Sequence, residues 1–214
     1  MIKAVLFDMD GVLVDSEEFI CQAGILMFRK KGLNVKKEDF VPFIGMGENR
    51  YLGGVAESYG FPFDVEKDKK RAYEIYDIIT KGKLSPLEGV LEFIGKCKQK
   101  GLKIAVATSA DEVKMRINLR EIGIPAETFD ATVNGLEVER KKPFPDIYLT
   151  AAKRLKIDPR FCLVVEDAIS GEKAGKAAGC RVLAITTSFS QDDFKLADWK
   201  VMNLKEAPDE CLLW

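Results

Sequence analysis

Short apolar runs recur along the chain, and each one stops abruptly at a polar residue. Four of them cover residues 4–7, 104–107, 162–165 and 182–185. Their apolar positions are continuous rather than alternating, which is typical of strands that are buried on both faces of a parallel sheet. The polar residues that follow lie where ligands bind in open α/β sheets, beyond the carboxyl ends of the strands.

Helical patterns lie between these runs, over residues 90–100, 112–122, 145–155 and 170–178. Gly101, Gly123 and Gly179 each follow the end of such a pattern, as glycine commonly does after a helix. Strands that alternate with helices of this length predict right-handed βαβ units. We therefore expect an α/β fold with a doubly wound, Rossmann-like parallel sheet.

Residues 16–85 interrupt the alternation. They contain no convincing strand, and helical patterns cover residues 16–31, 37–41, 48–59 and 64–81. Asp15 or Ser16 is a suitable cap for the first of these helices. The sequence thus predicts a small all-helical domain at 16–85, inserted into a core domain made of residues 1–15 and 86–214.

Composition narrows the class of protein. The 214 residues are 47% hydrophobic and 31% charged, with a net charge of −1, as in soluble globular proteins. The charge balance gives no reason to expect a nucleic acid or membrane partner. No apolar run approaches the ~18–20 residues of a membrane span, and Asp8 interrupts any signal-like segment. We expect a cytoplasmic monomer.

The chain has no histidine, which excludes Ser-His-Asp triads, Cys-His pairs and His-ligated zinc. Five scattered cysteines form no C-x-x-C pair. We expect them to be small buried side chains in a reducing compartment.

Acidic residues gather at two of the strand ends. Asp8 and Asp10 follow the first run, and Glu166 and Asp167 follow the third. The ends of parallel strands meet at one edge of a sheet, so four carboxylates would repel one another there without a cation. Hard oxygen ligands without His or Cys favour Mg²⁺. Lys142, followed by Pro143, is a possible further charge at this edge.

These motifs together resemble those of the haloacid dehalogenase superfamily. They are Asp8-x-Asp10-Gly11, Thr108, Lys142-Pro143-x-Pro145-Asp146 and Glu166-Asp167-x-x-x-Gly171, in that order. The helical insert after the first motif is similar to the C1 cap of the β-phosphoglucomutase-like and phosphoglycolate-phosphatase-like branch. The resemblance implies a Mg²⁺-dependent phosphatase that acts through an aspartyl-phosphate.

The same resemblance implies a role for each motif residue. Asp8 would be the nucleophile, and Asp10 the acid and then the base. Thr108 would bind phosphoryl oxygens, with Ser109 beside it, and Lys142 would neutralise charge. Asp167 and Glu166 would hold Mg²⁺ together with the Asp8 carboxylate and the Asp10 carbonyl.

The cap is expected to select the substrate, because a lid over the site excludes water and selects by size. Gly45, Glu48 and Arg50 belong to its candidate specificity loop, and Arg50 is a candidate anion contact. The alternative interpretation of this loop is a plain helix–helix turn, in which the glycines permit the backbone shape.

Three other functions remain open. A haloacid dehalogenase is disfavoured by Asp10, since a halide needs no acid in order to leave. A β-phosphoglucomutase-type mutase is disfavoured because Ile20 and Glu48 stand where the resemblance implies a histidine and an arginine. A binding module without catalysis is the third. The predicted substrate is a small, sugar-phosphate-like metabolite; hexose phosphates, phosphoglycolate, nucleotides and pyridoxal phosphate all remain possible.

Overall fold

The computed structural model describes residues 1–43 and 47–214. Its centre is a six-stranded, fully parallel sheet with the strand order β3-β2-β1-β4-β5-β6. The strands are β1 (Ala4–Phe7), β2 (Lys103–Ala107), β3 (Ala131–Val133), β4 (Cys162–Glu166), β5 (Arg181–Ile185) and β6 (Trp199–Val201). The four strands predicted from apolar runs form the middle of this sheet.

The two strands at the sheet edges, β3 and β6, were not predicted. Each has three residues, and neither carries a continuous apolar run. An edge strand packs against fewer neighbours than a central one, so its sequence shows a weaker apolar signal.

Helices cover both faces of the sheet and form a separate group beyond its carboxyl edge. They are α1 (Glu17–Lys30), α2 (Glu48–Ser58), α3 (Val65–Thr80), α4 (Val90–Gln99), α5 (Glu112–Glu121), α6 (Asp146–Leu155) and α7 (Ile169–Ala177). A 3₁₀ segment, Lys37–Phe43, stands where a short helix was predicted at 37–41.

Strand β1 shows how the sheet is buried. Val5 and Phe7 face a core that includes residues of α4 and α5. Ala4 and Leu6 face the opposite core, which includes residues of α6 and α7. Because both faces are covered, the strand reads as an unbroken apolar run, and the predicted doubly wound α/β fold is confirmed.

Helices α1, α2 and α3 share a third core built around residues such as Phe28, Leu52 and Tyr76. In the described ranges, no strand lies between Glu17 and Thr80. The third core also includes Ile117 of α5, so these helices pack against the α/β part. The boundaries 1–15, 16–85 and 86–214 stay a prediction.

All five cysteines are buried and carry free thiols. Among the helices of residues 1–43 and 47–214, none combines the length and the apolar character needed to cross a membrane.

Candidate active site

The end of β1 carries an ion pair at the centre of the site. Asp8 follows the strand directly, and its backbone N–H donates to the carbonyl of Val165 on β4, at 2.9 Å. Lys142 Nζ lies 2.7 Å from Asp8 Oδ1 and also contacts Glu166 Oε1. All three side chains are nearly or fully buried. A lysine 134 positions away in sequence thus neutralises the residue predicted to be the nucleophile.

Glu166 has hydrogen-bond partners at both of its carboxylate oxygens. The Tyr148 hydroxyl donates to Oε1 at 2.7 Å, beside Lys142. The backbone N–H groups of Asp167 and Ala168 donate to Oε2, each at 3.0 Å. These contacts hold Glu166 in place, and Glu166 in turn orients Lys142 toward Asp8.

The carboxylates of Asp8, Glu166 and Asp167 lie close enough to hold one metal ion. Each offers an oxygen, and the three oxygens are within 4.8 Å of one another. Burial raises the pKa of Asp8 to about 7, against the opposing charge of Lys142 and with further repulsion from Glu166. Burial also raises the pKa of Asp167 well above its usual range, and the charges of Glu166 and Asp8 add to the rise.

This cluster fits the predicted Mg²⁺. Its donors are hard carboxylate oxygens, and the single charge of Lys142, which pairs with Asp8 and Glu166, does not neutralise three carboxylates. A divalent cation offsets such charge. The set contains neither of the soft or imidazole ligands that favour zinc.

Two glycines let the backbone approach these carboxylates. Gly11 has a φ of +74°, and a Cβ on it would stand 1.9 Å from Asp167 Oδ2. On Gly171, in α7, a Cβ would stand 1.8 Å from Glu166 Oε1. Neither position has room for a side chain, so close packing explains why both motif positions are glycine.

Asp10 is fixed by a second set of contacts. Lys114 Nζ lies 2.9 Å from Asp10 Oδ2, and Asn118 Nδ2 lies 3.4 Å from Asp10 Oδ1. The Ser16 hydroxyl also donates to Oδ1. Ser16 precedes α1 as predicted, but its side chain makes no capping bond to that helix. The hydroxyl is directed to the site instead.

Lys114 is the principal residue that the sequence analysis missed. Its side chain is 5% exposed, and Nζ lies 3.7 Å from Glu48 Oε1 as well as near Asp10. Burial opposes its charge, but the carboxylates of Asp10 and Glu48 outweigh this and raise its pKa. One signal was available: Lys114 and Asn118 are four residues apart, on one face of a helix pattern whose neighbours are apolar.

Thr108 and Ser109 follow β2 and line the same cavity as Asp8 and Asp10. Thr108 is buried, and its Oγ1 accepts a hydrogen bond from the backbone N–H of Ala110 at 3.1 Å. Both residues stand at the carboxyl edge of the sheet, as the sequence predicts.

The cavity has a volume of about 780 Å³ and opens between the strand ends and helices α1 and α2. Asp167, Lys142 and Lys114 line it, together with Ser188 and Phe189. Within the described part of the chain, the structure therefore gathers Asp8, Asp10, Thr108, Ser109, Lys142, Asp167 and Glu48 around one space.

The predicted cap residues divide into three cases. Glu48, the first residue of α2, is buried and lines the cavity. Arg50 does not line it: the side chain is 52% exposed, Nη1 lies 2.5 Å from Glu57 Oε2, and the guanidinium stacks over Phe43. In this arrangement Arg50 does not face the cavity, where the anion contact was expected. Residues two positions apart on a helix lie on different faces, so Arg50 points away from the side on which Glu48 lies. Gly45 lies outside the described residues.

The comparisons with known proteins agree with the fold and the motifs. The sequence model of the haloacid dehalogenase-like hydrolase family matches residues 5–185. That range is most of the chain and holds every motif residue named above. The chain belongs to the haloacid dehalogenase-like hydrolase family.

Three relatives give the range of similarity. Protein SUPPRESSOR OF QUENCHING 1 of Arabidopsis thaliana is 45% identical over 195 residues, 89% of this chain, but the chain spans 18% of that relative's length. A phosphorylated carbohydrates phosphatase of Thermotoga maritima is 31% identical over 98% of this chain and 96% of its own. A crystal structure of a variant of CbbY from Rhodobacter sphaeroides, in complex with xylulose-(1,5)bisphosphate, superposes with a TM-score of 0.87 at 26% identity, covering 96% of each chain.

Proposed function

We propose that this protein is a Mg²⁺-dependent phosphatase that hydrolyses a small, sugar-phosphate-like metabolite through an aspartyl-phosphate on Asp8. The observation that carries the proposal is the Asp8–Lys142 pair, 2.7 Å apart at the end of β1, with Asp10 two residues on in the same cavity. Family membership and the phosphatase among its relatives support the reaction class.

In the first step, an Asp8 oxygen attacks phosphorus and the bond from phosphorus to the leaving-group oxygen breaks. Asp10 donates a proton to that oxygen, so the product leaves as an alcohol. In the second step, Asp10 takes a proton from water, the water oxygen attacks phosphorus, and the Asp8 carboxylate is released. Thr108 and Ser109 bind phosphoryl oxygens, and Lys142 reduces the repulsion between Asp8 and the phosphate.

The carboxylates of Asp8, Asp167 and Glu166, with the backbone carbonyl of Asp10, would hold Mg²⁺. When bound, the ion would supply positive charge next to the phosphoryl group. Glu166 has partners at both oxygens, so its contribution is to place Lys142 as well as to add negative charge.

The division into a core (1–15 and 86–214) and a cap (16–85) belongs to the same proposal, and so does a cytoplasmic monomer. Helices α1 and α2 supply Glu17, Ile20, Glu48 and Tyr51 to the cavity, which supports a substrate-selecting role for the cap. Five buried, free cysteines are in keeping with a reducing compartment.

The test is phosphate release from a panel of phosphorylated metabolites, with Mg²⁺ and with EDTA. We expect release that depends on Mg²⁺ and falls by at least about 10³-fold in Asp8→Asn, because the nucleophile is lost. The melting temperature of the variant is the folding control. Turnover of no compound at all by the folded, Mg²⁺-loaded protein would contradict the proposal and favour a binding module.

A further inference from the structure

Helix α5 carries an asparagine at a position where helix propensity and burial both disfavour one. Asn118 is fully buried within this helix. Asparagine is a weak helix former, because its side chain competes for backbone hydrogen bonds, and a buried amide is costly unless its polar atoms are paired. A leucine, which has a similar branched shape, would suit the position better. Residues that break local rules in this way are expected near functional sites.

Three side chains contact the Asn118 amide, and their chemistry fixes its orientation. The Tyr76 hydroxyl of α3 lies 2.5 Å from Oδ1, and Ser16 Oγ lies 3.2 Å from Nδ2. Asp10 Oδ1 lies 3.4 Å from the same nitrogen. A carboxylate only accepts hydrogen bonds, so the amide must direct its NH₂ group toward Asp10 and its carbonyl oxygen toward Tyr76.

These contacts form a chain of hydrogen bonds that runs in one direction. Tyr76 donates to Asn118, and Asn118 donates to Ser16. The Ser16 hydroxyl donates in turn to Asp10 Oδ1. Tyr76, Asn118 and Ser16 are each at most 1% exposed, so water does not compete for these bonds. Buried hydrogen bonds in a chain polarise and strengthen one another.

The chain holds one oxygen of Asp10, and an ion pair holds the other. Lys114 Nζ lies 2.9 Å from Oδ2, whereas Ser16 and Asn118 contact Oδ1. The Asp10 side chain is 30% exposed and lines the cavity, so packing alone does not fix it. The terminal torsion of an aspartate is broad, and contacts to both oxygens are therefore needed to give the carboxylate a single orientation.

We propose that Asn118 is a positioning residue, which the Tyr76 hydroxyl orients so that its amide, together with Ser16, fixes the carboxylate of Asp10. The inference rests on the proposed phosphatase function, in which Asp10 is the acid and then the base. Neither Tyr76 nor Asn118 is among the described residues that line the cavity, so neither is placed to touch the substrate. Both would act on the reaction through Asp10.

The first experiment compares kcat/KM for an alkyl phosphate, sorbitol phosphate, and an aryl phosphate, p-nitrophenyl phosphate, in Asn118→Leu. An alkoxide needs a proton from Asp10 in order to leave, whereas p-nitrophenolate leaves with little help from an acid. We expect kcat/KM to fall at least about tenfold for the alkyl compound and less than about threefold for the aryl compound. Equal losses would indicate a merely structural effect and would overturn the inference.

The second experiment removes the other end of the chain. Tyr76→Phe deletes only the hydroxyl that orients Asn118, so we expect the alkyl-to-aryl ratio of kcat/KM to fall about threefold or more. The double variant Tyr76→Phe/Asn118→Leu should lose no more than Asn118→Leu alone, because both changes break the same chain. Losses that multiply would show independent effects and would overturn the inference.

Two further variants guard this experiment. The double variant removes the buried hydroxyl together with its acceptor, so it replaces Asn118→Leu if that protein does not fold. Tyr59→Phe is the matched control: its hydroxyl bonds to Asp39 at 2.7 Å, and neither residue lines the cavity. We expect it to leave the alkyl-to-aryl ratio unchanged. A shift in this control as large as that in Tyr76→Phe would overturn the inference.

Crystal structures of the Mg²⁺-loaded wild-type protein and of Tyr76→Phe separate positioning from turnover. We expect the Asp10 carboxylate to hold one orientation in the wild-type protein and more than one in the variant. If the wild-type protein hydrolyses neither compound, the phosphatase proposal fails, and this comparison decides the inference by itself. A carboxylate that keeps one orientation in Tyr76→Phe would overturn the inference, whatever the activity.

Discussion

The cavity has a phosphoryl end at the strand ends and a helical end formed by α1 and α2. Both ends contain buried carboxylates, but these carboxylates differ in how many partners they have. At the phosphoryl end, Lys142 neutralises Asp8, and Glu166 has a partner at each oxygen. At the helical end, lined by Glu17 of α1 and Glu48 of α2, each of these carboxylates keeps one buried oxygen without a partner among the described residues. The carboxylates of the first end are therefore held by several protein contacts, whereas those of the second end are held by fewer.

The difference follows from where the residues come from. The phosphoryl end joins residues after β1 and β4, which are paired in register in the middle of the sheet. Their positions are therefore fixed to each other by backbone hydrogen bonds. The helical end is formed by α1 and α2, which belong to the third core. Such an arrangement lets one part of a protein keep its chemistry while another sets specificity.

Lys114 contacts Asp10 and Glu48 and so connects the two ends, and replacing it should disturb both. Lys114→Met leaves Asp10 and Glu48 without their buried counter-charge, which costs about 3–5 kcal/mol when one partner of a buried pair is lost. We expect kcat to fall about 10²-fold or more, because Asp10 loses its fixed position. Phosphate release and thermal melting measure the two effects.

The control for Lys114 is Arg116→Met on the same helix, where the exposed Arg116 pairs with Glu112. We expect it to change the free energy of unfolding by less than about 0.5 kcal/mol. An unaltered pH–rate profile in Lys114→Met would show that Lys114 does not act through Asp10.

The second prediction tests how tightly the phosphoryl end is packed. Gly171→Ala places a methyl group on Glu166 Oε1, so we expect a loss of about 1–3 kcal/mol in stability together with reduced activity. Gly95→Ala in α4 is the matched control, because a Cβ there meets no atom within 4 Å. It should stabilise the protein by about 0.5–1 kcal/mol. Equal effects in urea unfolding would contradict the close packing around Glu166.

The third prediction concerns pH. The raised pKa values of Asp8, Asp167 and Glu48 mean that the metal-free folded protein binds more protons than the unfolded chain between pH about 4 and about 7. Its stability is therefore highest at the acidic end of this window and falls as the pH rises, by up to about 1.4 kcal/mol per pH unit for each such group.

Thermal melting in EDTA across this window measures the slope, and Asp167→Asn should reduce it. Added Mg²⁺ should stabilise the protein more at high pH than at low pH, because metal ligands must be deprotonated. A stability that rises with pH in EDTA would contradict the assigned charges.

The smallest expected effect is that of Arg50→Ala. Arg50 pairs with Glu57 on the surface, and exposed pairs contribute about 0–1 kcal/mol. We expect kcat/KM to change less than about twofold, since the side chain does not reach the cavity. A loss of tenfold or more would mean that Arg50 leaves Glu57 to bind the substrate, and would restore its predicted anion contact.

Much of the phosphoryl end could be predicted from the sequence. Continuous apolar runs gave the central strands, and in a parallel sheet the residues that follow such strands must meet at one edge. Asp8, Thr108 and Asp167 could therefore be placed together before any coordinates were known. Lys142 needed the family resemblance, because a lysine in a loop carries no signal of where its amine will lie.

The helical end of the cavity could not be predicted in the same way. Glu48 and Arg50 are two residues apart and were both expected at the substrate, yet the helix turns one into the cavity and the other to the surface. Ser16 was expected to cap α1, but its hydroxyl bonds to Asp10. These outcomes depend on how α1 and α2 are rotated against the core.

The sequence by itself determined the four central strands, the order of the motifs and the acidic, histidine-free chemistry of the site, because these depend on local pattern and on residue type. The tertiary structure decided which carboxylates have partners. The pairing of these carboxylates depends on residues that are more than a hundred positions apart in sequence, Lys142 with Asp8 and Lys114 with Asp10. Pairing between such distant residues is set by how whole helices and strands pack, and the local sequence pattern does not predict it.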